Sequence, residues 1–147
     1  MTLDLRVPKD VIHAELAIGS AAARRVELFI IAGRGLAEIL EDDAPFFPVR
    51  DSAGSGGAIV NKTAIAWIAV AAGDGDDGEL FSERRLLRVE LTGGGTVEGE
   101  LLYSPAEGRT RVVDQLNEGG RFVRLWSAEK VWFVNKQMIS RVVEKGA

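Results

Sequence analysis

The sequence contains no cysteine and only one histidine, and these two shortages limit the chemistry it can support. Without cysteine there is no disulfide, no thiolate metal ligand and no thiol nucleophile. The lack of disulfides suits a reducing compartment, so we expect a cytoplasmic protein. Because catalytic and metal sites usually draw on histidine or on clustered ligands, we predict that the chain is not an enzyme and uses no cofactor or metal.

Long hydrophobic runs are also missing. The longest apolar runs, residues 28–32 and 64–72, are far shorter than the roughly 20 residues that span a bilayer, so we expect no membrane contact. Hydrophobic residues still make up 46% of the 147 positions, which is too many for a disordered chain. The formal net charge is −4, from 18 basic and 22 acidic residues. We therefore expect one compact domain or two very small ones.

An internal repeat organises the chain. Four sets of residues recur in the same order, at offsets of 75, 73, 76 and 74 positions: Glu15-Leu16 and Glu90-Leu91, Glu27-Leu28 and Glu100-Leu101, Leu40 and Leu116, and Asn61-Lys62 and Asn135-Lys136. Such nearly constant offsets indicate a tandem duplication, against the alternative of two unrelated segments that share common strand residues. The predicted divisions are a tail (residues 1–10), a first copy (11–70), an acidic glycine-rich linker (71–84) and a second copy (85–144).

Each copy has the pattern of a hairpin, a short helix and further strands. In the second copy, apolar residues alternate with charged ones on both sides of the turn at residues 93–95, which is typical of a β-hairpin. Leu36, Ile39 and Leu40 have helical spacing, and Glu41 falls on the opposite, solvent-facing side. We predict an α+β, mostly β protein of two tandem β-β-α-β-β-β copies. They form either small barrels of the Sm or SH3 type or joined sheets related by a pseudo-twofold axis.

Basic and aromatic residues alternate in the second copy. The candidates for a partner surface are Arg121, Arg124, Trp126, Lys130, Trp132 and Lys136. Adjacent side chains of a strand point to opposite faces, so either Trp132 or Phe133 lies on the second face of the sheet, which we predict to contact a partner. Exposed Trp and Arg favour a protein partner or a homo-oligomer. The alternative is single-stranded nucleic acid, held by charge and stacking.

Three further motifs favour ordinary structure over chemistry. His13 lies on the polar face of a predicted edge strand and is expected to be a surface residue. The acidic run at residues 74–79 does not fit a calcium loop, because Glu79 and Arg85 stand where an EF-hand needs Gly and Glu. The glycine-rich stretches at 54–57 and 93–95 lead into strands, whereas a phosphate loop leads into a helix.

The second copy also resembles a known sequence pattern. The residues that carry the resemblance are Val97-Glu98-Gly99-Glu100-Leu101, Asp114-Gln115-Leu116-Asn117, Arg121-Phe122, Val134-Asn135-Lys136 and Ile139. They resemble the GEL…DxLN…RF…VNKxxI signature of an uncharacterised family of small bacterial domains of unknown function, which implies no activity. The hairpin from Val89 to Leu101 is also similar to the opening of Sm-like small barrels.

These observations together lead to a functional expectation. We predict a non-enzymatic binding or assembly module that acts through protein–protein contacts. The alternative is Sm-like binding of RNA or single-stranded DNA through the second copy.

Overall fold

Within the residues that the structure describes, the first half of the chain contains five strands and one short helix. The computed structural model describes residues 9–31, 34–54, 56–73 and 80–145. The elements of the first half are β1 (Lys9–Ile18), β2 (Arg24–Ile31), α1 (Leu36–Glu41), β3 (Phe46–Asp51), β4 (Gly57–Asn61) and β5 (Ile65–Ala71). A 3-10 turn, Lys62–Ala64, separates β4 from β5.

The second half follows the same order of elements. They are β6 (Glu83–Leu91), β7 (Thr96–Tyr103), α2 (Val112–Asn117), β8 (Phe122–Trp126), β9 (Lys130–Asn135), a 3-10 turn (Lys136–Met138) and β10 (Ile139–Glu144). The predicted mostly β, α+β class is therefore confirmed. Both helices have six residues, and no helix in the described ranges is long and apolar enough to cross a membrane.

The predicted divisions fall close to the ends of the strands. The strands of the first half run from Lys9 to Ala71, and those of the second from Glu83 to Glu144, within two residues of the predicted copies. Residues 1–8 of the predicted tail and residues 74–79 of the predicted linker lie outside the described residues.

The ten strands found in the described ranges belong to one sheet, in the order β10-β6-β7-β8-β9-β5-β1-β2-β3-β4. The halves meet where β5, the last strand of the first half, pairs with β9, the fourth strand of the second. This junction is head-to-tail. A pseudo-twofold axis would instead pair two equivalent strands. The predicted pseudo-twofold arrangement is therefore wrong, because β5 is the last strand of its half and β9 is the fourth strand of its own. A small barrel within each half stays a prediction.

The strand registers of the two halves correspond residue by residue. Phe47 pairs with Val60 between β3 and β4, and Val123 pairs with Val134 between β8 and β9, so the partners shift by 76 and 74 positions. A register irregularity interrupts both the β1–β5 and the β6–β10 pairing, at matching points. We call two residues equivalent when these pairings place them at the same point of the two halves.

One of the sequence matches is out of register. Glu15 pairs with Ala69, and Arg88 pairs with Val143, so Glu15 is equivalent to Arg88 and not to Glu90. Polar and apolar residues alternate along a strand, so a pair such as Glu-Leu can occur at more than one register. This explains why the sequence match falls on Glu90, two positions away from the structural equivalent Arg88.

The described part of the chain has two hydrophobic cores, one for each half. Leu28, Leu40 and Ile68 are fully buried in the first core, and Leu87 and Leu125 are fully buried in the second. Each helix turns an apolar side towards its own core, as the helical spacing in the sequence predicted. Full burial of one such side chain contributes about 1.5–3 kcal/mol, so these residues stabilise the strand packing.

We expect Gly99→Ala to lower the free energy of unfolding by about 1–3 kcal/mol. A Cβ at Gly99 would lie 2.9 Å from the Cβ of Leu125 and 3.0 Å from the carbonyl oxygen of Trp126, so β7 and β8 would have to separate. Urea unfolding measures the effect. Gly57→Ala is the control, because its Cβ would lie 3.7 Å from the Val49 carbonyl oxygen, an ordinary contact distance. Equal stability of the two variants would contradict the close approach of β7 and β8.

Candidate functional site

The junction between the halves is an antiparallel pairing of β5 with β9, which we call the internal junction. It runs from the pair Trp67–Val134 to the pair Ala71–Lys130. Its two faces belong to different cores. Ile68 and Phe133 lie in the first core. Trp67 and Trp132 pack against the second core, with ring centroids 4.8 Å apart in an edge-to-face arrangement.

A carboxylate from the first half fastens the start of β8. Glu41, the last residue of α1, accepts hydrogen bonds from the backbone N–H of Arg121 at 2.8 Å and from that of Phe122 at 3.1 Å. In return, the Arg121 guanidinium donates to the carbonyl oxygens of Glu41 at 3.3 Å and Asp42 at 2.5 Å. A Cβ at Gly120 would overlap the Glu41 carboxylate, so glycine makes room for this clamp.

Two further side chains cross the internal junction. The buried Asn135 donates from Nδ2 to the carbonyl oxygen of Ile65 at 2.9 Å and to that of Thr63 at 3.3 Å. At the opposite end of β9, Lys130 Nζ lies 2.5 Å from Glu15 Oε1. The amide of Asn135 satisfies buried carbonyl groups and therefore contributes more to stability than the half-exposed ion pair.

A lysine ammonium group closes the C-terminal end of each helix. Lys62, only 1% exposed, donates from Nζ to Asp42 Oδ1 at 2.6 Å and to the Asp42 carbonyl oxygen at 3.3 Å. The equivalent Lys136 donates to the Glu118 carbonyl oxygen at 2.6 Å. Burial lowers the pKa of Lys136, and the nearby Glu41 carboxylate opposes that shift. Both lysines therefore donate to a carbonyl oxygen at a helix C-terminus, where the positive charge is favoured.

At the far end of the sheet, β3 and β4 expose an apolar surface. Phe46 is 54% exposed and Ile59 is 75% exposed, with the exposed Pro48 between them. Their equivalents Phe122 and Phe133 are packed against the first core by the internal junction. We call Phe46, Pro48 and Ile59 the open apolar face. The same positions are therefore covered in one half and uncovered in the other.

The other end of the sheet shows the complementary difference. Ile65 and Ile68 of β5 are fully buried, because the second half covers them. Their equivalents Ile139 and Val142 of β10 are only half-buried. We call β10 the second open edge. The strands equivalent to those of the internal junction are thus the two end strands of the sheet, and their apolar side chains are more exposed than at the junction.

The six residues predicted as a partner surface lie largely within contacts of the chain itself. Arg121 and Lys136 bind backbone carbonyls, and Lys130 lies by Glu15 and over the Trp132 ring, 5.2 Å from its centroid. The Arg124 guanidinium lies over the rings of Trp126 and Phe133, at 5.3 and 4.9 Å from their centroids. Each of the six residues therefore takes part in contacts within the chain, and their role as a partner surface stays a prediction.

The second face of β9 was predicted to contact a partner and instead contacts the chain's own first half. Phe133 enters the first core and Trp132 packs on Trp67, so both faces of the strand are covered from within. The inference that Trp132 and Phe133 point to opposite faces is confirmed. The inference that one face is left for a partner is wrong at this position, because the fold places the first half there.

The only histidine lines a surface cleft of about 490 Å³. His13 Nδ1 lies 3.8 Å from Glu27 Oε2, and its side chain is 74% exposed. Ser52 lines the same cleft, but none of the hydrogen bonds found among the described residues joins it to His13. Within those residues there is also no group of three metal-binding side chains.

The sequence did not point to the residues that now define the site. Glu41 was placed on the solvent side of α1, and its partners lie 80 and 81 positions away along the chain. Phe46 and Ile59 read as ordinary strand residues. The available signals were the pair Gly119-Gly120 directly before a strand and the adjacent apolar residues Phe46 and Phe47, of which a half-exposed strand can bury only one.

Comparison with known proteins found no match to any family model, to any curated protein or to any solved structure. The family resemblance of the second copy accordingly stays a prediction.

We expect Gly120→Ala to destabilise the protein by about 1–3 kcal/mol, because the new methyl group displaces the Glu41 carboxylate from two backbone N–H groups. A double-mutant cycle with Glu41→Ala, read by urea unfolding, isolates this effect. In the Glu41→Ala background, Gly120→Ala should cost much less. If the two losses of unfolding free energy were additive, the glycine and the carboxylate would act independently, and this result would contradict the clamp.

Stability should also fall at acid pH through Asp42. The hydrogen bond from Lys62, helped by the Ala44 N–H and by Arg34, lowers the pKa of Asp42 from 3.8 to about 2, although burial opposes the shift. A lowered folded-state pKa gives stability that is complete above about pH 4 and is lost as the pH falls towards 2. In urea unfolding from pH 5 to 2, Asp42→Asn should flatten this decline. Asp43→Asn is the control, and an equal flattening by both variants would rule out Asp42 as the source.

Proposed function

We propose that the chain is a tandem duplication that works in the cytoplasm as a non-enzymatic assembly module through protein–protein contacts. The observation that carries the proposal is the open apolar face at β3 and β4. In the second half the equivalent face packs against another half, so a protein surface is the kind of partner that these positions accept. The matching registers of the two halves support the duplication.

The edge strand beside this face favours pairing with another strand. β4 reads Gly-Ala-Ile-Val-Asn and contains no charged residue. Proteins usually protect an edge strand with lysine, proline, a bulge or a covering element, because its free N–H and C=O groups are a template for another strand. Proline does occur in the neighbouring β3, at Pro48, where it does not block the outer edge of β4. An uncharged edge next to exposed Phe46 and Ile59 therefore favours a bound partner.

Binding of single-stranded nucleic acid through the second half receives less support. A nucleic-acid surface needs cations that reach phosphate groups and aromatic rings on which bases stack. Arg121 and Lys136 instead bind backbone carbonyls, and Trp132 packs against Trp67. Binding of a strand by Arg121 or Trp132 would require breaking contacts that hold the two halves together.

Catalysis also receives less support than assembly. His13 faces Glu27 on the surface, and the cleft beside it brings no hydrogen-bonded nucleophile to it within the described residues. A nucleophile needs a base within hydrogen-bonding reach, so a Ser52–His13 pair would have to form from a different arrangement of the β3–β4 turn.

The proposal predicts that the protein occurs in a complex in the cells that naturally make it, and that the complex depends on the open apolar face. Tagged wild-type chain, isolated under native conditions, should have a mass well above the 15.8 kDa of one chain. Ile59→Asp should reduce it to one chain, because a carboxylate at the face opposes burial. Native mass spectrometry reads the result.

Leu80→Asp is the matched control, since Leu80 is 76% exposed and lies outside β4 and β10. It should leave the complex intact. A wild-type chain that is monomeric in the extract, or a complex that nuclease treatment dissolves, would contradict the proposal. Retention of the complex by Ile59→Asp would contradict the role of the open apolar face.

A further inference from the structure

We propose that the partner is a second copy of this chain, whose β10 pairs with β4 in a head-to-tail junction that repeats the internal one. This inference rests on the proposed assembly function and names its partner. In the internal junction, β5 of the first half meets β9 of the second. The strand equivalent to β9 is β4, and the strand equivalent to β5 is β10. These two strands are the two ends of the sheet.

The internal junction fixes the register of the proposed one. Ile68 pairs with Phe133 and Ala69 pairs with Trp132 in the antiparallel ladder of β5 and β9. Transfer to equivalent positions pairs Val142 of one copy with Ile59 of the next. By the same transfer, Val143 pairs with Ala58. The proposal therefore specifies which residues meet, and not only which surfaces.

The apolar surfaces also match across the proposed junction. Phe122 and Phe133 pack with Ile65 and Ile68 in the first core. At the proposed junction, the exposed Phe46 and Ile59 of one copy would cover the half-buried Ile139 and Val142 of the other. Each end of the sheet thus has exposed or half-buried apolar side chains that the opposite end of a second copy would bury further.

One polar contact is repeated as well. The Oδ1 of Asn135 accepts a hydrogen bond from the Gln137 N–H, and that of Asn61 accepts one from the Thr63 N–H, both at 3.0 Å. The same turn therefore holds the side-chain amides of Asn61 and Asn135 by the same hydrogen bond. Asn135 Nδ2 then donates across the internal junction to the Ile65 carbonyl oxygen. At the proposed junction, Asn61 Nδ2 would donate to the Ile139 carbonyl oxygen of the second copy.

Other contacts of the internal junction are not repeated, which predicts a weaker and reversible association. Glu41 is replaced by Asn117 at the equivalent position, and Arg121 by Pro45, which has no N–H to donate. The two indoles, Trp67 and Trp132, are replaced by Arg141 and Ala58. The carboxylate clamp and the edge-to-face ring pair are therefore specific to the internal junction, so copies should associate and dissociate with concentration.

The arrangement also determines the type of assembly. Because β4 meets β10 and not another β4, the contact is heterologous, and each added copy presents the same two free edges again. Such contacts produce either a closed ring or an open filament. The rotation at each junction decides between them.

Cysteine cross-linking tests the register, because the chain has no cysteine of its own. Purified Ala58→Cys and Val143→Cys variants are mixed and oxidised, and disulfide-linked dimers are measured on a non-reducing gel. Directly opposed residues of an antiparallel pair lie about 4.5–5.5 Å apart at Cα, within the range of a disulfide. The mixture should cross-link at least about tenfold faster than either variant alone, whose copies place no two cysteines opposite each other.

Arg141→Cys mixed with Ala58→Cys is the control for register, since these positions lie two residues out of step, about 7–8 Å apart at Cα. Cross-linking at equal rates would overturn the proposed register. Sedimentation velocity of the purified wild-type chain gives a readout without cysteines: the mean mass should rise with concentration, and Ile59→Asp should weaken association at least about tenfold. Circular dichroism confirms that each variant is folded.

Different results would overturn the proposed assembly function and the proposal that the partner is a second copy. A purified wild-type chain that stays monomeric at every concentration overturns the second-copy proposal. If the chain also forms a complex with a different protein in its own cells, the assembly function stands and only its partner is wrong. If it forms no complex in either setting, both proposals fail.

Discussion

The pairing of β5 with β9 is the interaction on which the rest of the structure depends. Each of these strands contributes side chains to both hydrophobic cores: Ile68 and Phe133 to the first, Trp67 and Trp132 to the second. Since each half has only about 60 residues, it would bury a smaller fraction of its surface alone and would be only marginally stable. The internal junction adds the missing side chains to each core. This is why the halves behave as one sheet and why its uncovered ends matter.

Much of the fold followed from local patterns in the sequence. Alternation around Gly93-Gly94-Gly95 predicted the hairpin of β6 and β7, and the spacing of Leu36 and Leu40 predicted α1. The Asn-Lys pairs predicted the last turn of each half, and in the structure each asparagine accepts a backbone N–H there. These features depend on residues close in sequence, so their period or turn chemistry is visible without the fold.

The site could not be predicted in the same way, because its contacts join distant residues. A glutamate at the end of a short helix normally faces water, and nothing near Glu41 signals that backbone N–H groups 80 positions away will bind it. The sequence placed Trp132 and Phe133 on opposite faces of β9, but only the fold shows that the first core covers the face that carries Phe133. The exposure of Ile59 likewise depends on β4 being an end strand, which is decided by topology and not by local sequence.

We propose above all that β4 of one copy pairs with β10 of the next, as their equivalents β9 and β5 pair in the internal junction. Hydrogen–deuterium exchange of wild-type protein across a range of concentrations measures this most directly, because pairing protects the backbone N–H groups of an edge strand. The account predicts that protection rises with concentration in Gly57–Asn61 and in Ile139–Glu144 together, and stays constant in Ile65–Ala71. Protection that rises in only one of the two edge strands, or in neither, would contradict it.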